Sequence, residues 1–373
     1  MKKSLLGLAV MFFGFAIVAC NGATTQAPTT AAPTTAAPTT VAPTTAAPTT
    51  VAPTTQATTV APREFPVDGE FTAYEVAVDR NTPMVTTVTV TIEDGEITGY
   101  VIDCRQGTRT LTGEEYAYTW KPETKQELGF NYKMHWNTYA ANDETPTIEE
   151  YEVWLGENDK LEWFEQANLI AAQWLANGVT SVTVDGEYID NVAGVTIKDG
   201  GYIALAAAAV ELARQGKFQA IYCSGQDLYS VSMLVSAEGV VSDLLLDTLQ
   251  GQGNKTTGIF VWRDQTKQEL GYGYMMHGNA YRAVDETPTV EEYEVWLGEN
   301  DKLEWFEQVA LITDYVLANG YNASLQPLTA TGKGGSLDGT TVLDDLAGVS
   351  VTSGSYYSLI GAVFAKVADG VIG

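Results

Sequence analysis

The sequence predicts an α+β fold, with helices packed on antiparallel sheets and the arrangement repeated in tandem. Three observations carry that expectation. Glu144–Gln166 (ETPTIEEYEVWLGENDKLEWFEQ) returns at Glu286–Gln308 with a single change, Val290 in place of Ile148, and internal identity on this scale means two copies of one unit. Each copy opens on alternating β-branched runs broken by short turns. Each closes on an Ala-rich helix, apolar nearly all round, which must be buried against a sheet.

Residues 1–19 read as a secretory signal. Lys2 and Lys3 precede an apolar run from Leu5 to Val18, too short for a comfortable transmembrane span. Its end, Ile17-Val18-Ala19-Cys20, resembles the lipobox of bacterial lipoproteins. That resemblance implies cleavage before Cys20 and lipidation of the cysteine, anchoring the chain to the outer face of the cell membrane. Residues 20–63 then read as a disordered Thr/Pro/Ala-rich linker, for the stretch from Ala23 to Pro62 has no charge and no aromatic residue with which to build a core. In the polyproline II limit of about 3.1 Å per residue, such a tether reaches on the order of 120 Å.

Copy one is expected over residues 64–215 and copy two over 216–373. Phe71 to Val78, Val85 to Ile92 and Ile97 to Ile102 alternate like strands, and Glu93-Asp94-Gly95-Glu96 marks a hairpin turn between the last two. Phe218 to Cys223, Tyr229 to Ser236 and Val240 to Leu246 mirror them, with a turn at Ala237-Glu238-Gly239. Thr124 to Gly129 and Thr266 to Gly271 predict short helices stopped by glycine. A longer helix is expected from Asp159, whose spacing to Glu162 suits a capping box, with Leu161, Phe164, Ala171 and Leu175 along one face and Asn177-Gly178 at its end. Asp301, Glu304 and Asn319-Gly320 repeat those signals. The closing helices fall at Tyr202 to Ala213 and Tyr356 to Val367.

Charge and cysteine content narrow the function. The chain holds 20 Lys and Arg against 47 Asp and Glu, a net charge of −27 that becomes −29 once Lys2 and Lys3 leave with the signal. Such a surface repels nucleic acid and anionic lipid headgroups, and it attracts cations and basic proteins. Cys104 and Cys223, the only thiols beyond Cys20, stand at non-equivalent places in the two copies, which excludes a repeated disulfide or metal site. Their apolar surroundings predict buried free thiols, with one bridge between the copies as the alternative.

The residues that can carry chemistry lie just before each closing helix. Copy one reads Asp190-Asn-Val-Ala-Gly194-Val-Thr196-Ile-Lys-Asp-Gly-Gly-Tyr202, and copy two reads Asp344-Asp-Leu-Ala-Gly348-Val-Ser350-Val-Thr-Ser-Gly-Ser-Tyr356. Both keep an Asp, an Ala-Gly pair, a hydroxyl six residues after the Asp, and a Tyr at the helix start. A glycine there lets the backbone turn tightly beside a phosphate, and a helix N-terminus ahead of it offers N–H groups and the positive end of a dipole. Asp190 and Asp344 suit a turn.

The motif resembles the flavinylation sequence of the FMN-binding domain family, Asp-x-x-Ser/Thr-Gly-Ala-Thr-x-Ser/Thr, and the opening Asp68-Gly69-Glu-Phe71-Thr-Ala73 is similar to the start of such domains. Ala193 and Ala347 depart from its Ser/Thr, Val195 and Val349 from its Ala, Lys198 from its last hydroxyl, and Ser350 from its usual Thr. With signal, tether and two modules, the arrangement resembles the two-domain flavin-carrying surface lipoproteins (PplA-like). The resemblance implies FMN held by a phosphoester to Thr196 and Ser350, one per copy, with Gly194, Gly348, Asp190 and Asp344 around it. It implies loading by an ApbE-type flavin transferase, a membrane electron donor, and an extracellular acceptor such as ferric iron or soluble flavin. The function so implied is an extracellular electron carrier. Two rival readings are a surface ligand-binding or adhesive lipoprotein and a reductase that binds FMN reversibly.

Other residues weigh less. His135 and His277 follow Met134 and Met276 at matching positions, but one His per copy is too few for a metal centre, and partial burial in a loop is expected. Trp163 and Trp305 are expected in the core rather than against a flavin ring, and Glu149, Glu150 and Glu152 on a solvated face.

Overall fold

A computed structural model describes residues 63–141, 147–282, 287, 289–322, 348–351 and 354–372. The signal, Cys20, most of the tether and Asp344 lie outside these residues. None of the described helices is long and apolar enough to cross a membrane.

The first sheet has the order β1 (Gly69–Asp79), β2 (Thr82–Glu93), β3 (Glu96–Thr112), β4 (Glu115–Trp120), all antiparallel. At the β2–β3 turn, Asp94 and Gly95 both take positive φ (53° and 78°), the backbone a tight hairpin requires. The Asp68 carboxylate accepts both of their N–H groups, at 3.0 and 2.9 Å. Phe71, Ala73, Val88, Val90, Ile92 and Ile102 bury one face of the sheet. Against it pack α4 (Trp163–Asn177) and α5 (Tyr202–Gln215).

Along the chain between β4 and α4 come α1 (Lys125–Leu128), a 3-10 turn over Gly129–Tyr132, α2 (Trp136–Ala140) and α3 (Ile148–Glu157). Thr124 caps α1 reciprocally with Glu127, and Gly129 ends it. Tyr139, Tyr151 and Leu155 form a small satellite core under α2 and α3, while Glu149, Glu150 and Glu152 face solvent as expected. Helix α4 corrects the sequence reading. It starts at Trp163 and not Asp159, because the capping box is built by Glu162 and Glu165. Asp159 takes a left-handed φ of 51° outside the helix. The buried face is Trp163, Gln166, Ala167, Ile170, Ala171 and Trp174, and Leu175 is 46% exposed. A two-stranded ribbon, β5 (Val184–Asp185) with β6 (Tyr188–Ile189), precedes the loop that carries Thr196.

The second half follows the same order. β7 (Lys217–Ser224), β8 (Asp227–Val235) and β9 (Val241–Leu249) form an antiparallel sheet. A short hairpin follows, β10 (Gly251–Gly253) with β11 (Phe260–Trp262). Then come α6 (Lys267–Leu270), α7 (Gly278–Arg282), α8 (Val290–Glu299), α9 (Trp305–Asn319) and α10 (Gly354–Phe364). As in the first half, the helix expected from Asp301 begins at Trp305 with Glu304 as its cap.

The two halves share one continuous core within Val60–Gly373. Phe71 of β1 stacks on Phe218 of β7 at 4.2 Å, and the segment after α10 pairs Val367 with Gly69. Trp262 of β11 donates to the Ala77 carbonyl across the junction at 2.9 Å. Cys104 is buried and Cys223 half-buried, both as free thiols.

Candidate functional site

The site grows from the N-terminus of α4. Glu162 caps that helix with extended backbone, and its carboxylate accepts the Trp163 N–H at 2.8 Å. A negative charge is favoured there by the helix dipole, but Glu162 is wholly buried, and a buried carboxylate must be satisfied. The remaining lone pairs take the Met134 N–H, at 3.1 and 2.9 Å to the two oxygens, and the Tyr151 hydroxyl at 2.7 Å. Burial, followed by the bond to Glu162, pushes the Tyr151 phenol well above its ordinary value.

These bonds fix the Met134-His135 loop, which follows a left-handed Lys133 (φ 60°). The His135 N–H donates to the Tyr151 oxygen at 2.9 Å, and its ring Nε2 lies 3.2 Å from the Leu161 carbonyl, which can only accept, so Nε2 is the donor. Both side chains of the loop are half-buried.

One turn into α4, Gln166 is only 1% exposed, and both ends of its amide are occupied. Its Nε2 donates to the Leu161 carbonyl at 2.9 Å and lies 3.8 Å from the Met134 sulfur. Its Oε1 accepts the Thr196 N–H at 2.7 Å and the Thr196 hydroxyl at 3.3 Å. Thr196 itself is exposed between buried Val195 and Ile197. The loop reaches that position through Gly194, whose φ of 82° is one that other residues rarely adopt and where a Cβ would come within 3.0 Å of Leu161 Cδ1. Asp190 pins the start of the loop: its N–H donates to the Thr183 carbonyl at 3.2 Å and its carboxylate accepts the Thr183 hydroxyl at 2.7 Å.

Copy two repeats the arrangement. Glu304 accepts from Met276, Trp305 and Tyr293 at 2.6–3.1 Å. Gln308 Oε1 accepts the Ser350 N–H at 2.7 Å, the Ser350 hydroxyl at 3.1 Å and the Val351 N–H at 3.0 Å. Its Nε2 donates to the Leu303 carbonyl at 2.9 Å. Gly348 has a φ of 89°.

In each copy the lysine that opens the short helix stands over two aromatic rings. Lys125 Nζ stands 4.8 and 4.9 Å above the rings of Trp163 and Tyr132, and Lys267 Nζ 5.1 and 4.7 Å above those of Trp305 and Tyr274. Trp163 Nε1 donates to the Tyr202 hydroxyl at 3.4 Å, and Trp305 Nε1 to that of Tyr356 at 3.0 Å. Burial lowers the Lys267 ammonium to about 8, against the opposing pull of Asp227, Asp247 and Glu304.

Sequence reasoning placed Trp163 and Trp305 in the core, where they lie. It missed Gln166, Gln308, Lys125 and Lys267, although all four stand in segments kept in both copies. One expectation is corrected in copy one. The N-terminus of α5 does not stand open to an anion, because the Asp199 carboxylate accepts the Ile203 N–H there at 3.1 Å.

An exposed hydroxyl so held is suited to esterification. Thr196 Oγ1 is a donor to Gln166 only while it keeps its hydrogen; as an ester oxygen it leaves Gln166 Oε1 still filled by the Thr196 N–H. No buried polar atom is orphaned by the change. The residues present therefore fit a phosphoester at this position. No family model, no curated protein and no solved structure matches the chain.

Proposed function

We propose that this chain is a lipid-anchored extracellular flavoprotein, built from two tandem FMN-binding-type modules on a disordered tether, that carries electrons from a membrane donor to extracellular acceptors such as ferric iron or soluble flavin. The observation that carries this reading is the recurrence, in both copies, of an exposed hydroxyl beyond a positive-φ glycine and clamped by a buried glutamine. FMN, joined through its phosphate to Thr196 and Ser350, supplies a centre that takes up and releases electrons singly or in pairs.

Esterification needs an activated phosphoryl donor, which a flavin dinucleotide provides. The hydroxyl oxygen bonds to the flavin-side phosphorus, the pyrophosphate P–O bond breaks, and a nucleoside monophosphate leaves. The hydroxyl proton passes to a base of the ApbE-type transferase. Gly194 and Gly348 shape the bend, Gln166 and Gln308 hold the residue, and Asp190 pins the loop. Asp344 is the counterpart of Asp190 by sequence. A covalent link also suits the location, since a micromolar site is worth only about 8 kcal/mol and empties where free flavin is dilute.

The test is intact mass and peptide mapping after co-expression with an ApbE-type transferase. FMN less one water is expected at Thr196 and at Ser350, with one adduct lost in Thr196→Ala and the other in Ser350→Ala. A colourless chain without an adduct overturns the proposal, and a yellow colour lost on denaturation replaces it with reversible binding.

A further inference from the structure

We infer that Gln166 and Gln308 are positioning residues for covalent loading, each holding the backbone of its hydroxyl residue in place through nucleophile and ester while letting the hydroxyl go. The inference rests on the phosphoester reading above and adds residues that the hydroxyl motif does not contain.

The two bonds that Gln166 makes to Thr196 differ in length. The amide N–H is 2.7 Å from Oε1, a full-strength bond, whereas the hydroxyl is 3.3 Å away, near the limit of a useful one. In copy two the corresponding distances are 2.7 and 3.1 Å. The short bond fixes where the residue sits. The long one breaks at little cost when the hydroxyl turns its hydrogen towards the base of an incoming transferase. Holding a nucleophile in one place removes part of the entropic barrier to its reaction.

Glutamine is the side chain this geometry requires. Its Oε1 must accept from Thr196 while its Nε2 donates to the Leu161 carbonyl 2.9 Å away. A carboxylate at the same place sets an acceptor against that carbonyl and a negative charge beside the phosphate. A methionine fills the volume and makes neither bond. Helix α4 supplies the rigidity, for Gln166 lies one turn beyond the Glu162 cap and is wholly enclosed.

The experiment uses the full chain, co-expressed with the transferase, and reads the ratio of adduct at Thr196 to adduct at Ser350 in the same molecule. The second copy thus cancels any change in transferase activity. Gln166→Met is expected to lower that ratio about tenfold, the worth of one hydrogen bond, and to speed hydrogen exchange of the Thr196 amide in unloaded protein. Gln308→Met should move the ratio the other way. Gln166→Glu adds a pH readout, taken on unloaded full chain incubated in vitro with the purified transferase and a flavin dinucleotide: protonated, the side chain again donates to the Leu161 carbonyl, so the ratio should recover as the pH is lowered from neutral, while the wild-type ratio stays flat. A Gln166→Met chain with the wild-type ratio, or with wild-type protection of the Thr196 amide, overturns the inference. A wild-type chain without any adduct overturns the flavin reading instead, and exchange at the Thr196 amide then decides the clamp by itself.

Discussion

Tyr151 and Glu162 meet in a pocket closed to solvent, the phenol donating to the carboxylate at 2.7 Å, and Tyr293 and Glu304 do the same at 2.6 Å. The tyrosine also accepts the backbone N–H of the histidine that follows the loop methionine. One hydroxyl thus ties a helix cap to the loop beside the site. Tyr151→Phe removes a donor from a buried carboxylate and the acceptor of the His135 N–H together. We expect a loss of about 2 kcal/mol, since bonds to charged groups are worth about 1.5–3 kcal/mol. The midpoint of urea unfolding measures the loss, and faster exchange at the His135 amide locates it.

Gly194 gives a second, more local prediction. At a φ of 82° any side chain is strained, and a Cβ there comes within 3.0 Å of Leu161 Cδ1. Gly194→Ala should cost about 1–2 kcal/mol from the left-handed backbone alone. The bend carries Thr196, so adduct at Thr196 should fall relative to Ser350 in the same molecule. Unchanged stability and loading would mean that the loop takes another path.

How much of this was legible follows from how far apart in sequence the partners lie. The hairpins and the short helices at Lys125 and Lys267 were readable because alternation, a capping threonine and a terminal glycine are signals within a few residues. The start of α4 was misread because Asp159 looks like a cap by type, whereas Glu162 caps by virtue of donors from Met134 and Tyr151, 28 and 11 residues away. Gln166 was overlooked for the same reason, being 30 residues from Thr196. A polar residue on the buried face of a helix, kept in both copies, was the one available sign.

Lys267 makes stability depend on pH. Its folded value of about 8 lies below the unfolded value of about 10.4, so between these the unfolded chain binds more protons. Stability contributed at this position therefore rises with pH across that window, and the full burial penalty remains below it. Tyr229, pushed up to about 12 by burial first and then by Asp227, works in the opposite direction above about pH 10. Comparison with Lys267→Met isolates the lysine. The stability of wild type relative to the variant should climb by on the order of 2 kcal/mol from about pH 8 to about pH 10, read from urea unfolding at each pH. A flat difference would mean that the ammonium is solvated in the folded chain.

The junction between the copies leads to the broadest prediction. Phe71 and Phe218 occupy matching places in their copies, stack at 4.2 Å and are both fully buried, so each half supplies the cover for the other's ring. The same seam holds the end of the chain: the Glu70 N–H donates to the Lys366 carbonyl at 2.8 Å, the Ala368 N–H to the Asp68 carbonyl at 3.2 Å, and Lys366 Nζ to the Thr72 hydroxyl at 2.9 Å. A half cut free would expose its phenylalanine and lose these bonds at once. We therefore expect residues 64–373 to unfold in one cooperative transition reported identically by tryptophan fluorescence and by circular dichroism. Phe218→Ala should lower that single midpoint by the equivalent of about 3–5 kcal/mol, as emptying a buried aromatic site does. Residues 64–215 expressed alone should lack the amide protection that β1 has in the whole chain. Two separate transitions, with Phe218→Ala moving only the one that belongs to copy two, would show that each half carries a sufficient core of its own and that the seam contributes little.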